Sequence, residues 1–394
     1  MILDPIDATA VFSASLAGTA QADVLQKRAL SRGLDLFAEK NYDQAIKQLK
    51  SAIGYAPTTD NAIAAYQFIA QSFTNLNDSE GAINAYKQAL RVDNRRSDVH
   101  VALGNIYYFQ KNYKEAIASY EAAVNNDPGE ANRYSLGQGY LADKQFDKAE
   151  LEFDRVSQLS PGSPSGKYGL GLVYEKRGQY EAALGYFNEA LSIKSDFYEA
   201  YSEMGYVLVD SGRLDEAAQI RDELAELNPT LSIQLSQYIN SKSPPKMILA
   251  ASSDFQLTMG PNTPLVALNA YLANPNESQL FSVSFSFSKP MDSETVTNVV
   301  NWKLGRSSGL AGMTAYNYGM PISEKEASLS PHPVSVSYDE KYQIATVFFA
   351  LTQNASGDAT IDPGHIQFAF SGKDLDGLLM HTKADQYGGF SGFA

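Results

Sequence analysis

Between residues 33 and 217 the chain repeats one small pattern six times: a glycine or alanine and then, twelve positions on, an alanine. The pairs are Gly33/Ala45, Ala70/Ala82, Gly104/Ala116, Gly137/Ala149, Gly171/Ala183 and Gly205/Ala217. Their alanines step by 37, 34, 33, 34 and 34 residues. A period near 34 is that of stacked helix–turn–helix units. A unit this short cannot bury its own apolar stripe, so each copy must stack on its neighbours in a line. In the clearest copy, Ser97 to Glu130, Leu103, Gly104 and Tyr107 mark a first helix. Tyr113, Ala116, Tyr120 and Ala123 mark a second, and Pro128 ends it, because proline cannot continue a helix. Pro57, Pro161 and Pro229 punctuate other copies. The missing side chain lets two helices approach closely. The aromatics Phe73, Tyr107, Tyr140 and Tyr174 are expected to fill the space against the next unit. The second unit departs from the pattern, with Ala70 for glycine, Asn94 for proline and the extra residues Thr58 to Asp60. In the sixth, Arg221 stands where other units carry an aromatic.

These residues resemble the tetratricopeptide repeat, over residues 26–231. The resemblance implies a right-handed α-solenoid of six helix pairs with a protein-binding groove lined by the first helices. By register, that groove is expected to present Gln67, Gln71, Asn75, Asn105, Tyr108, Tyr134, Gln138, Tyr168 and Tyr206. Amides suit the backbone of an extended peptide, and tyrosines supply rigid contact area. The same residues also fit a plain solvated groove, or one filled by another part of the chain. One branch of the family clamps a terminal carboxylate with basic residues. Such residues are missing from this register, so that ligand is not expected.

Residues 230–241 keep an apolar spacing that reads as a capping helix, and Pro244-Pro245 reads as an extended linker, so 232–245 joins two domains. Beyond it the period changes to two. In Ser278 to Ser288, Phe281, Val283, Phe285 and Phe287 alternate with serines, the pattern of a half-buried strand. Further strands are expected at 246–258, 264–273, 297–304, 334–338, 343–351 and 365–371, with 305–333 as a long surface excursion. About seven strands over 246–394 point to an antiparallel β-sandwich. Ser288, Pro290, Met291 and Asp292, then Lys373, Asp374 and Gly377, resemble the bacterial Ig-like domains of surface-layer and adhesin proteins. The expected fold class is therefore multidomain α + β, a solenoid followed by an Ig-like sandwich.

With 31 basic and 45 acidic residues the net charge is −14, and both parts are acidic, so no basic face for nucleic acid is expected. Without cysteine there is no disulfide, thiolate metal site or thiol nucleophile. The N-terminal stretch opens with Asp4 and Asp7 and has no basic start or long apolar run. Neither an ordinary export signal nor membrane insertion is expected, and the compartment stays open between cytoplasm and a bacterial surface reached by another route. Residues 1–25 read as an arm, disordered or strand-forming. His100, His332, His365 and His381 are scattered and read as surface or loop histidines, without metal-site spacing. Gly162 to Lys167 is too short and misplaced for a phosphate loop, and Gly389 to Gly392 lacks the spacing of a nucleophile elbow. Asp374 and Asp376 fit a side-chain-capped turn better than a calcium loop. No catalytic set, metal or cofactor is expected. Two functions remain: a non-enzymatic scaffold that binds a peptide or protein segment, or a self-assembling subunit of an extracellular filament. In the second, residues 1–20 would be donated to another copy, as a strand on its sandwich edge or lodged in its groove. An enzyme carried on the sandwich is a third, weaker reading.

Overall fold

A Cβ on Gly104 would stand 2.6 Å from the Tyr120 ring, and one on Gly171 would stand 2.4 Å from Phe187. The close approach inferred from the small residues is therefore real, and in these units it is an aromatic ring that lies against each glycine. The computed structural model describes residues 8–308 and 315–388. The pairs are α1 (Ala8–Ala38) with α2 (Tyr42–Tyr55), α3 (Asp60–Asn75) with α4 (Ser79–Val92), α5 (Ser97–Phe109) with α6 (Tyr113–Asn126), and α7 (Glu130–Ala142) with α8 (Phe146–Leu159). They continue with α9 (Ser165–Lys176) and α10 (Tyr180–Ile193), α11 (Tyr198–Asp210) and α12 (Leu214–Leu227), and a single α13 (Pro229–Lys242).

Each first helix ends in the same way. The residue three past its end bonds back five positions, as in Asn112 N–H to Tyr107 O (2.9 Å) and Gln145 N–H to Tyr140 O (2.8 Å). This closure needs one left-handed residue. Lys40, Asn77, Lys111 and Lys144 adopt it at φ near 60°, and Gly178 and Gly212 adopt it at 72° and 80°. The four side chains accept a conformation that glycine reaches without a Cβ clash. The turn thus repeats with the same steps as the alanines.

Residues 8–38 correct the expected arm. They form one helix, so residues 8–20 cannot serve as a donated strand, and residues 1–7 lie outside the described residues. Alanine and other good helix formers dominate the stretch, and its inner half is tied down. Gln26, fully buried, donates to Ala56 O (2.6 Å) and to Thr59 Oγ1 (2.7 Å). At the other end, Arg221 leaves the ring position empty. Leu235 of α13, fully buried, takes its place, 2.4 Å from where a Cβ on Gly205 would be.

The chain divides into two units, residues 1–236 and 237–394, so the division falls inside α13 and ahead of the prolines. In the second unit the strands are β1 (Met247–Ala251), β2 (Thr263–Pro264), β3 (Ser278–Phe287), β4 (Trp302–Arg306), β5 (Ser328–Leu329), β6 (Ser335–Asp339), β7 (Ile344–Thr352), β8 (Thr360–Ile361), β9 (Ile366–Phe370) and β10 (Gln386–Gly388). One antiparallel sheet runs β1-β3-β7, with β5 and β6 both pairing β7; a second runs β10-β9-β4, and β2 pairs β8. Phe281 opposes Phe349 and Val283 opposes Val347 across β3 and β7. The two larger sheets share one aromatic core: Phe285 meets Phe368 at 5.2 Å and Trp302, fully buried, at 5.5 Å. The strand expected at 264–273 is instead two short helical turns, Leu265–Leu268 and Ala270–Ala273. Leu265 and Leu272, one on each turn, are fully buried, and the Asn269 side chain caps the second turn. Part of the 305–333 excursion, residues 309–314, and the Gly389 to Gly392 stretch lie outside the described residues.

Candidate functional site

First helices touch one another across the array, at α1 with α3, α5 with α7 and α7 with α9, while no successive second helices meet as broadly. These contacts set the first helices side by side along one face of the array. All nine expected groove residues lie on these helices, but they do not form one continuous set.

Gln71 and Asn75 on α3 and Asn105 on α5 come together. They line a recess of about 290 Å³ with Thr74, Tyr86, Ala102, Ile106 and Phe109. The Asn105 amide oxygen accepts the Tyr120 hydroxyl at 2.7 Å, so the ring that fills the helix crossing also fixes this amide. Asn75 donates to Gln71 O at 2.8 Å. Phe109 is 82% exposed, an apolar ring held in water at the mouth of the recess. Gln67 stands apart from it and donates to Asp98 at 2.8 Å, bridging α3 to α5.

The tyrosines are more embedded than a solvated groove would need. Tyr134 packs on Phe153 at 5.4 Å and bonds the Gln138 side chain. Tyr168 sits between Phe187 (5.7 Å) and Phe197 (5.0 Å). Tyr108 meets Tyr113 at 5.7 Å. Burial pushes all three phenols up, and neighbouring groups add to it: Tyr113 on Tyr108, Tyr108 on Tyr134, and Glu203 and then Tyr134 on Tyr168. The three therefore follow one another along one face. Tyr206, half-buried on α11, lies one turn beyond Glu203.

That end of the face is acidic. Glu175 pairs with Lys176 at 2.7 Å, so the basic residue that this register does contain is already engaged. Glu203 is pushed up to about 7, first by burial and then by Glu175, with Lys176 opposing. Sequence reasoning missed Glu175, Glu203 and Phe109. The signal was available: Glu175 follows Gly171 by as many residues as Tyr108 follows Gly104, and Phe109 corresponds to Asn75.

In the second unit the two halves of the short motif meet. Met291 bridges Asp374, Lys373 pairs with Asp292 at 3.2 Å, and Lys289 pairs with Asp374 at 2.7 Å. The other Asp374 oxygen accepts from Asp376 N–H (3.0 Å) and Leu378 N–H (2.8 Å). The lysine and the turn thus engage both oxygens of the carboxylate, and Gly377 takes the left-handed position at φ 85°. His365 corrects the surface reading of the histidines. It is 1% exposed, its Nδ1 lies 2.8 Å from Asp362, and Tyr318 packs edge-on against its ring. Among the described residues no group of three or more His, Cys, Asp or Glu could hold a metal ion, and no helix is long and apolar enough to cross a membrane.

Residues 69–131 and 164–197 match models of the tetratricopeptide repeat. These two stretches of the first unit are thus tetratricopeptide repeats. A stretch of 129 residues is 32% identical to the cell division cycle protein 27 homolog of Caenorhabditis elegans, covering 32% of this chain and 16% of that protein. Anaphase-promoting complex subunit 3 of Schizosaccharomyces pombe is 21% identical over 162 residues, covering 41% of this chain and 24% of the relative. The similarity thus spans a quarter or less of either relative's length. A solved tetratricopeptide repeat protein from Parabacteroides merdae superposes with a TM-score of 0.48 at 16% identity, covering 55% of this chain and 88% of that one.

Proposed function

We propose that the array is a non-catalytic scaffold that holds an extended protein segment along the face that its first helices line. The recess between α3 and α5 carries this reading. It joins amides that can pair with a peptide backbone, Gln71, Asn75 and Asn105, to an exposed aromatic anchor, Phe109. A relative named as a subunit of a multiprotein complex supports it further. The second unit is read as Ig-like, and the strand orders β1-β3-β7-β6 and β10-β9-β4 around a buried tryptophan support that reading.

Phe109→Ala tests the recess without disturbing the fold, because the ring is mostly in water. Peptides selected by display on the full chain should bind the Phe109→Ala chain at least about tenfold more weakly, the scale of a truncated aromatic anchor. Equal binding by the two chains would remove the recess from the interface.

A further inference from the structure

The far end of the same face carries two buried polar atoms without a hydrogen-bond partner, a carboxylate oxygen and a hydroxyl. The Glu175 side chain is 8% exposed; one oxygen takes Lys176, and the other is buried without a hydrogen-bond partner. Ser202, 2% exposed on α11, likewise has a buried hydroxyl without a partner. Leaving such atoms unmatched costs free energy that a bound donor would recover. Three carboxylates act on Lys176, those of Glu175, Glu203 and Asp210, so acidic charge outnumbers the one lysine among them. Tyr168 adjoins them, within the electrostatic reach of Glu203, Glu199 and Glu175.

Resting on the groove reading, we propose that the held segment carries a lysine or arginine whose charged head lodges between Glu175 and Glu203, beside Tyr168. A lysine ammonium brings three donors and an arginine five, with no acceptor, which suits the orphaned Glu175 oxygen. A tyrosine face adds attraction for a cation taken out of water. The net charge of −14 draws a basic partner in from a distance. Glu203, raised towards neutrality beside Glu175, would regain its charge once a cation separates them. The recess at α3 and α5 would then grip the backbone and an apolar contact, while this end reads one charge.

The test uses a random-peptide display library selected on the full chain, followed by fluorescence anisotropy of a selected peptide and of its copy with norleucine in place of the basic residue. Lysine or arginine should dominate one position, and the norleucine copy should bind at least about tenfold more weakly, the worth of a charge-assisted hydrogen bond. A chain with Glu175→Gln and Glu203→Gln should bind the two peptides alike. Its helicity by circular dichroism should be unchanged, since the substitutions remove a repulsion. Two outcomes overturn the inference while leaving the groove intact: Phe109-dependent peptides with no basic position, or discrimination that persists in the double variant. If no selected peptide depends on Phe109, the groove reading fails and this inference fails with it.

Discussion

Glu203 shows how a single residue ties the acidic end of the groove to the stability of the array. Its folded pKa, about 7, lies above its ordinary 4.5, so folding favours the protonated form. The groups around it are Glu175, which raises it, Lys176, which lowers it, and Tyr168. Below about pH 4.5 the residue is neutral in both states and carries no penalty. As pH rises to 7 the unfolded chain releases its proton first and stability falls, by up to about 3 kcal/mol from this residue. Urea unfolding of the chain across this window should therefore show a decline that Glu203→Gln flattens. Parallel declines in both chains would contradict the assignment. The sequence alone could not give this. It placed Gln71, Asn75 and Asn105 correctly on one face, because register is arithmetic. It did not tell which groups the fold would leave unpaired, since Lys176 neighbours Glu175 along the helix and yet engages only one of its oxygens. Nor did it separate Tyr168, wedged between two rings, from a free groove tyrosine.

At the scale of the element, repetition made the helices legible, and departures from it were where reading failed. Six small-residue–alanine pairs gave six helix pairs, with matching turns at Lys40, Asn77, Lys111, Lys144, Gly178 and Gly212. The first helix was read too short because its outer half lies ahead of the repeat and offers no period to count. The stretch 264–273 was read as a strand because short apolar runs look alike in either state; the side-chain cap at Asn269 marks the start of the second helical turn. The position of Arg221 found its answer in another element. Leu235 of α13 fills the place an aromatic holds in other units, so Leu235→Ala should cost about 2–5 kcal/mol and unfold the last pair first in urea. Ile233, 59% exposed on the same helix, is the control: its alanine variant should change stability by less than about 0.5 kcal/mol.

At the scale of the molecule, the two units were legible in different ways. The array announced itself by period, and its fold follows from the need of each pair to stack. The second unit announced only alternation; its sheet order depends on pairings far apart in sequence, such as β4 with β9, which a pattern of period two does not specify. The ion pairs Lys289–Asp374 and Lys373–Asp292 hold the two segments of its short motif together. The proposed function of the first unit is to hold a segment along its first helices. Amide hydrogen exchange of the full chain, with and without a display-selected peptide, tests it directly. Protection should gather on 60–75, 97–109, 130–142, 165–176 and 198–210 and leave the second helices unchanged. Protection confined to the second helices or to residues 237–394 would contradict the claim.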